Sequence, residues 1–285
     1  GIKCLTGSAV IGTHGYLGLN SVDIAPISDD GTMVTGDAWN LSCDFLAISG
    51  GWSPNVHMHS HAGGRPVYKK EITAFVPGES RQSERSAGAS AGVLGLAECL
   101  TQGAAIGAEA ANLLGFGAKT IEVPKSEALD TTPVKVLWRV PGPGKKYVDL
   151  QDDVTSSDVE LAHREGYISV EHLKRYTTLG MGTDQGKTSN MNGHAIMAEE
   201  RGESIEAVGT TMFRPPYNPV SFGALGGRDI GMHFSPTRRT AMHDWHAENG
   251  AIFVPTGQWL RAQYYLRDGE QDVKADMYKA ISREV

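Results

Sequence analysis

The sequence predicts an α/β unit, then a small all-α unit, then the opening of a third. Three observations carry this. Short strand-like apolar runs fill the first fifty residues, and a stretch rich in Ala, Leu and Glu follows at 91–114. Helix-length segments closed by Gly166, Gly180 and Gly202 occupy 148–205. The chain has 285 residues, and a domain usually takes about 100–200, so two or three units are expected.

In order, strands are expected at 2–5, 9–12 and 19–25. Residues 44–49 are nearly all apolar, as in a buried parallel strand. Gly50, Gly51 and Pro54 stop that run. A long helix is expected over 91–114. Residues 116–147 read as a linker, with five prolines or glycines in 133–144 alone. The following segment, 148–236, reads as all-helical with an ordered, Pro- and Gly-rich connection at its end. Its first helix is expected to open on a capping box of Ser157 and Glu160. The next are expected at 169–179 and 188–201. A further unit begins at 237 and reaches Val285 in a helical pattern with no stop signal. The first residue is Gly1, so the chain is expected to be an internal piece of a longer protein.

Hydrophobic residues make up 40% and charged residues 21%. No apolar run approaches the roughly 18 residues that span a bilayer. A net charge of −7 argues against nucleic acid as a main partner. Cys4, Cys43 and Cys99 are far apart, forming neither a disulfide framework nor a metal-ligand pair. A reducing, cytoplasmic setting is the simplest expectation.

Four motifs bear on chemistry. The run at 43–49 ends in the turn Gly50-Gly51-Trp52-Ser53-Pro54-Asn55, and Ser86-Ala87-Gly88-Ala89 is expected to open the long helix. This pair resembles two stretches of glutathione-reductase-like flavoproteins. There a Gly-x-x-Pro turn returns the chain to the first nucleotide domain, and a later Gly-Asp contacts the dinucleotide at a helix N-terminus. Ala89 stands here where the Asp would be. The fingerprint G-x-G-x-x-G is not in the chain. Under this resemblance Gly88, Ala89, Ala91, Leu96 and Glu98 line an NAD site.

The second motif spans 149–190. It includes Lys174-Arg175-Tyr176-Thr177-Thr178 and Thr183-Asp184-Gln185-Gly186-Lys187-Thr188-Ser189-Asn190. It resembles the helical domain that carries a [2Fe–2S] cluster in opine and proline dehydrogenase subunits. Asp149, Gln151, Asp184 and Ser189 stand where those relatives have cysteines, and a cluster needs thiolates. The cysteine-free version resembles the alpha subunits of heterotetrameric sarcosine oxidases. From the residues alone, Lys187 through Asn190 at a helix start, with Lys174 and Arg175, could hold a phosphate or could be ordinary capping with solvated cations. A Walker-type loop is excluded because Met181 stands where its first Gly is required.

The third motif is His57-Met58-His59-Ser60-His61. On a strand the imidazoles would share a face and could hold zinc. A solvated loop is the expectation, with no metal. The fourth is Arg239-Thr240-Ala241-Met242-His243-Asp244-Trp245-His246, then Gly250-Ala251 and Gln258-Trp259. It resembles the opening of the tetrahydrofolate-binding aminomethyltransferase fold.

The family resemblance therefore implies three units. They are the C-terminal part of a dinucleotide-binding domain (1–115), a cluster-like helical domain without its cysteines, and the start of an aminomethyltransferase domain. It implies NAD in the nucleotide domain, FMN at the interface with a beta subunit, FAD in that beta subunit, and tetrahydrofolate as carbon acceptor, without an Fe–S cluster. Lys174, Arg175, Thr178, Asp184, Gln185, Gly186, Lys187, Thr188, Ser189 and Asn190 would contribute to the FMN site. Beta, gamma and delta subunits would be the partners, with the amine substrate reached through beta and no membrane or nucleic acid. The reaction implied is oxidative demethylation of sarcosine. Alternatives are the alpha subunit of another N-methyl amine or amino acid dehydrogenase, or a scaffold that docks flavoproteins. No self-contained acid–base–nucleophile set is visible, so no catalytic residue is named.

Overall fold

The computed structural model describes residues 2–117, 119, 121–127 and 135–285. Two compact units emerge, Gly1–Pro219 and Val220–Val285, and the Pro- and Gly-rich connection expected at the end of 148–236 is divided between them.

In the first unit, β1 (Ser8–Gly15), β2 (Leu19–Pro26) and β3 (Trp39–Ser42) form an antiparallel sheet in that order. Alternate residues of β2 turn inward: Val22 is 2% exposed and Ile24 7%. Residues 2–5 are outside any strand. The buried parallel strand expected at 44–49 does not form, and Phe45 and Ile48 are 79% and 82% exposed. A buried parallel strand needs a parallel neighbour and cover on both faces, and every strand pairing described in this unit is antiparallel. The α/β expectation for 1–115 is corrected to antiparallel ribbons and one long helix.

The short helix α1 (His57–His61) replaces the expected loop. The hairpin of β4 (Val67–Lys69) and β5 (Ala74–Val76) follows. Gly88 opens only a 3-10 turn, Gly88–Ala91, and the long helix α2 (Leu96–Leu113) starts later than expected. Gly92, at φ +80°, turns the backbone left-handed and separates the two. No residue of α2 is buried.

Of the expected linker, 128–134 with Pro133 lies outside the described residues. Its later part is tethered. The Arg139 guanidinium reaches Glu160 at 2.8 Å, Glu199 at 2.9 Å and Glu200 at 3.0 Å. The all-helical expectation also needs correcting, because β6 (Tyr147–Asp149) and β7 (Val154–Thr155) pair as a ribbon. Next comes α3 (Ser156–Arg164), whose capping box is Thr155 with Asp158 rather than Ser157 with Glu160. Glu160 serves Arg139 instead. α4 (Val170–Thr177) is capped by the Ser169 hydroxyl, which accepts from the Glu171 N–H at 3.3 Å. α5 (Asn190–Arg201) begins after Thr188, and Gly202 closes it in the left-handed conformation. The small helix α6 (Ile205–Val208) completes the group. Val159, Ala162, Leu173, Leu179, Ile196 and Met197 are all at most 1% exposed and form one core among these elements.

The second unit holds α7 (Phe222–Gly226), β8 (Arg238–Arg239), α8 (His243–Glu248), β9 (Ala251–Thr256), β10 (Trp259–Tyr265) and α9 (Lys274–Glu284). Its sheet runs β8-β10-β9, parallel at the first pairing and antiparallel at the second. His243 lies 4.5 Å from the Phe253 ring, and His246 Nδ1 is hydrogen-bonded to the Tyr265 hydroxyl.

Candidate functional site

The four positions expected to have lost thiolates converge in space. Asp149 ends β6 and is 2% exposed. Its carboxylate accepts N–H bonds from Gly180 at 2.8 Å, Gln151 at 2.9 Å and Asp152 at 3.3 Å. Burial alone would raise its pKa, but these backbone donors outweigh it and hold the group below the ordinary carboxylate value. The Ser189 hydroxyl lies beside this carboxylate without hydrogen-bond geometry and adds a smaller lowering. Gln151 Oε1 accepts from the Asp184 N–H and the Thr183 hydroxyl, each at 3.1 Å. Three of the four positions at which the resemblance implies thiolates, Asp149, Gln151 and Asp184, thus present oxygens bound to backbone N–H groups, and the fourth presents the Ser189 hydroxyl. That donor set does not fit an iron–sulfur cluster, which is held by thiolates.

The turn into α5 is tightly determined. The Asp184 carboxylate accepts from the N–H groups of Gly186 at 3.0 Å and Thr188 at 3.1 Å, and from the Thr188 hydroxyl. Gln185 and Gly186 both take positive φ, +54° and +75°. A Cβ on Gly186 would sit 2.4 Å from the Asn190 side chain, so only glycine lets that side chain pass. Lys187 Nζ donates to the carbonyls of Tyr217 at 2.7 Å and Asp184 at 3.1 Å, and lies 4.4 Å from the Tyr217 ring centroid. Burial lowers its pKa, and the Asp184 charge opposes that.

Behind this turn lies a cavity of about 90 Å³, lined by Asn55, His57, Phe75, Lys187, Asn190, His194 and Phe213 among others. His57 stacks on Phe213 at 3.8 Å, and its Nε2 lies 2.8 Å from the Gln185 carbonyl. That ring is 3% exposed. Its pKa is lowered first by burial and then by the nearby charges of Lys187, His61 and Lys174, against the raising effect of the Gln185 carbonyl. His194, in the middle of α5, is fully buried, and burial lowers its pKa to about 3.

The histidine run was thus expected in the wrong environment. It is helical, so the three rings do not share a face. His59 is 2% exposed, with Nδ1 2.7 Å from Glu84 and Nε2 accepting from the Gly78 N–H at 3.2 Å. Among the described residues no group of three or more His, Cys, Asp or Glu side chains could hold a metal ion. Nor is any described helix long and apolar enough to cross a membrane.

The other expected site residues fall in two places. Lys174 is half-buried on α4, its pKa lowered by burial and by Arg175 and Arg214 against Glu171. Arg175 pairs with Glu171 at 2.8 Å, and Thr178 caps α4 in a left-handed conformation. Gly88, Ala89, Ala91, Leu96 and Glu98 lie at the start of α2 and line no part of the cavity. The Gly88 N–H, expected to face a diphosphate, donates to Gln102 Oε1 at 2.7 Å. A Cβ on Gly95, the residue before α2, would meet the Glu98 carboxylate at 2.0 Å, so an anion already covers that helix N-terminus. This arrangement does not fit a diphosphate. Sequence reasoning missed His194 and Phe213; the one signal was a histidine inside the otherwise apolar or small run 193–198.

Comparison with known proteins adds the following. Residues 143–228 match the family model described as the sarcosine oxidase A3 domain. The sarcosine oxidase subunit alpha of Rhizobium meliloti (strain 1021) is 41% identical over 281 residues, 98% of this chain and 27% of that protein. The subunit of the same name from Corynebacterium sp. (strain P-1) is 39% identical over 290 residues, 98% of this chain and 30% of that one. The chain thus spans under a third of the length of these relatives. Among solved structures, L-proline dehydrogenase from P. horikoshii is similar at a TM-score of 0.53 and 20% identity. That match covers 75% of this chain and 43% of the dehydrogenase, a likeness of fold.

Proposed function

We propose a function for a chain that belongs, along 98% of its own length, with the sarcosine oxidase alpha subunits: it is the part of an oxidoreductase subunit that shapes a flavin site against a partner subunit. The observation that carries this is the corner built on Asp149, Gln151 and Asp184. Hydrogen bonds there fix the turn from which Lys187 projects, and Lys174 lies near His57, whose ring meets the Gln185 carbonyl of that turn.

FMN, when bound at the interface with a beta subunit, supplies electron transfer from that subunit's FAD to oxygen. Lys174 is the residue we assign to the phosphate. It sits near His57, Arg175 and Arg214, while Glu171 is already committed to Arg175 and to the Met212 N–H at 2.7 Å. Lys187, held by two carbonyls, fixes the turn that borders the site. Asp184 locks Thr188 to that turn, so Thr188 shapes the site rather than meeting the ligand. The whole-enzyme reaction is sarcosine, tetrahydrofolate and oxygen giving glycine, methylenetetrahydrofolate and hydrogen peroxide, with gamma and delta subunits completing the assembly. Glu98 and the Gly88 turn are assigned to the ribose side of an NAD site, and the second unit to the opening of the folate domain.

The test uses the assembled enzyme. Sarcosine should drive peroxide formation, with methylenetetrahydrofolate as carbon product. Lys174→Met should lower FMN content or shift its potential, leaving FAD reduction by sarcosine intact. A charge-assisted hydrogen bond is worth about 1.5–3 kcal/mol, or roughly ten- to a hundred-fold in affinity. Lys187→Met should slow reoxidation by oxygen through the displaced turn. Unaltered flavin content, potential and oxygen turnover in both variants would refute the assignment.

A further inference from the structure

Three side chains around the cavity behind the Lys187 turn carry polar atoms without a partner among the described residues. They are Nδ1 of His57, Oδ1 of Asn190 and both ring nitrogens of His194. These residues are 3%, 5% and 0% exposed. All three line the same cavity of about 90 Å³. Buried polar groups in folded proteins almost always have a protein or water partner, so three such residues around one space mark a site.

Their chemistry selects the occupant. His57 Nε2 faces the Gln185 carbonyl, which can only accept, so the proton is on Nε2 and Nδ1 is a lone pair. Asn190 Nδ2 donates to the Thr211 hydroxyl at 3.1 Å, which leaves its Oδ1 as an acceptor. A neutral His194 adds one donor and one acceptor. Acceptors therefore outnumber donors among the unpartnered atoms, and Lys187 already spends two of its three N–H groups on carbonyls, which disfavours an anion. Lys187 lines the space and Lys174 lies close to both rings, which disfavours a cation. An uncharged hydrogen-bond donor remains. Drug-sized ligands need about 300–1,000 Å³, so a flavin does not fit. Water, at about 30 Å³ per molecule in the liquid, does.

We propose that this cavity is a built water site, in which ordered water bridges His57 Nδ1, His194 and Asn190 Oδ1 and braces the turn at Gln185 and Gly186 against α5. The bridge runs from the imidazole that holds the Gln185 carbonyl to the side chain that Gly180 and Gly186 let through. The water site is independent of the flavin assignment: it needs no cofactor, and the two fail separately.

A crystal structure of the assembled enzyme, at a resolution that resolves waters, tests it. Discrete water density should contact all three side chains. In a second arm, His194→Leu should lower the thermal unfolding midpoint, because water bridged to His57 and Asn190 loses a partner. Were the nitrogens dry, the same substitution would remove two unsatisfied groups and raise the midpoint. A closed cavity, density for a non-water group, or a raised midpoint overturns the proposal. If the variant does not assemble, the wild-type density alone decides.

Discussion

The helix α2 is richer in apolar residues than the helices α3–α5, yet only α3–α5 bury theirs. Leu173, Leu179, Ile196 and Met197 are at most 1% exposed, whereas Leu96, Leu113 and Leu114 are 60%, 72% and 73% exposed. The difference lies in what faces each helix. α3, α4, α5 and the β6–β7 ribbon present stripes to one another within about sixty residues of chain, so the core closes locally. The apolar side of α2 meets no such stripe among the described residues. Amphipathic pattern is a property of a segment, and burial is a property of the pair.

The sharpest way to break this comparison is a pair of truncations. Leu173→Ala should cost about 2–5 kcal/mol of stability, the usual range for emptying a packed leucine site. Leu113→Ala should stay within about 0.5 kcal/mol, as at exposed positions. Chemical denaturation of the two variants reads both, and equal losses would end the distinction.

A smaller effect follows from His194. Its folded pKa, about 3, lies below the ordinary imidazole value of 6.5. Between those values the unfolded chain holds a proton that the folded one refuses. Stability therefore falls as pH drops from 6.5 toward 3, with a slope of up to about 1.4 kcal/mol per pH unit. Denaturation midpoints across this window should flatten in His194→Leu. An unchanged slope would mean that His194 is not the group titrating.

Much of this contrast was legible in the sequence. Gly166 and Gly202 mark the ends of α3 and α5 to within a residue or two, because left-handed stops follow from local backbone sterics, whereas α4 stops earlier than Gly180, on the left-handed Thr178. The convergence of Asp149, Gln151, Asp184 and Ser189 was implied by the family resemblance, and the geometry brings them together. What could not be read depends on distant partners. The run 44–49 has strand composition but no neighbouring strand. Thr155 with Asp158 displaced Ser157 with Glu160 as the capping box because Arg139 engages Glu160 across the fold. His57 is helical and buried because Phe213, more than 150 residues away in sequence, stacks on it.

The smallest expected effect belongs to the α2 side. Gly88 holds φ +61°, and a Cβ there would lie 3.4 Å from Cys99 Sγ. Gly88→Val should cost about 1–2 kcal/mol in backbone strain and weaken NAD binding by the assembled enzyme. NAD titration against wild type measures this, and an unaltered affinity in a folded variant would remove Gly88 from the nucleotide site.

The claim at the centre of this account is the proposal that the Asp149 corner is a hydrogen-bonded support for flavin chemistry and holds no iron–sulfur cluster. Iron, acid-labile sulfide and flavin, assayed together on one sample of assembled enzyme, test it most directly. The expected result is stoichiometric flavin with iron and sulfide at background. Stoichiometric iron and sulfide, with a paramagnetic signal on reduction that disappears in Asp149→Ala, would contradict it.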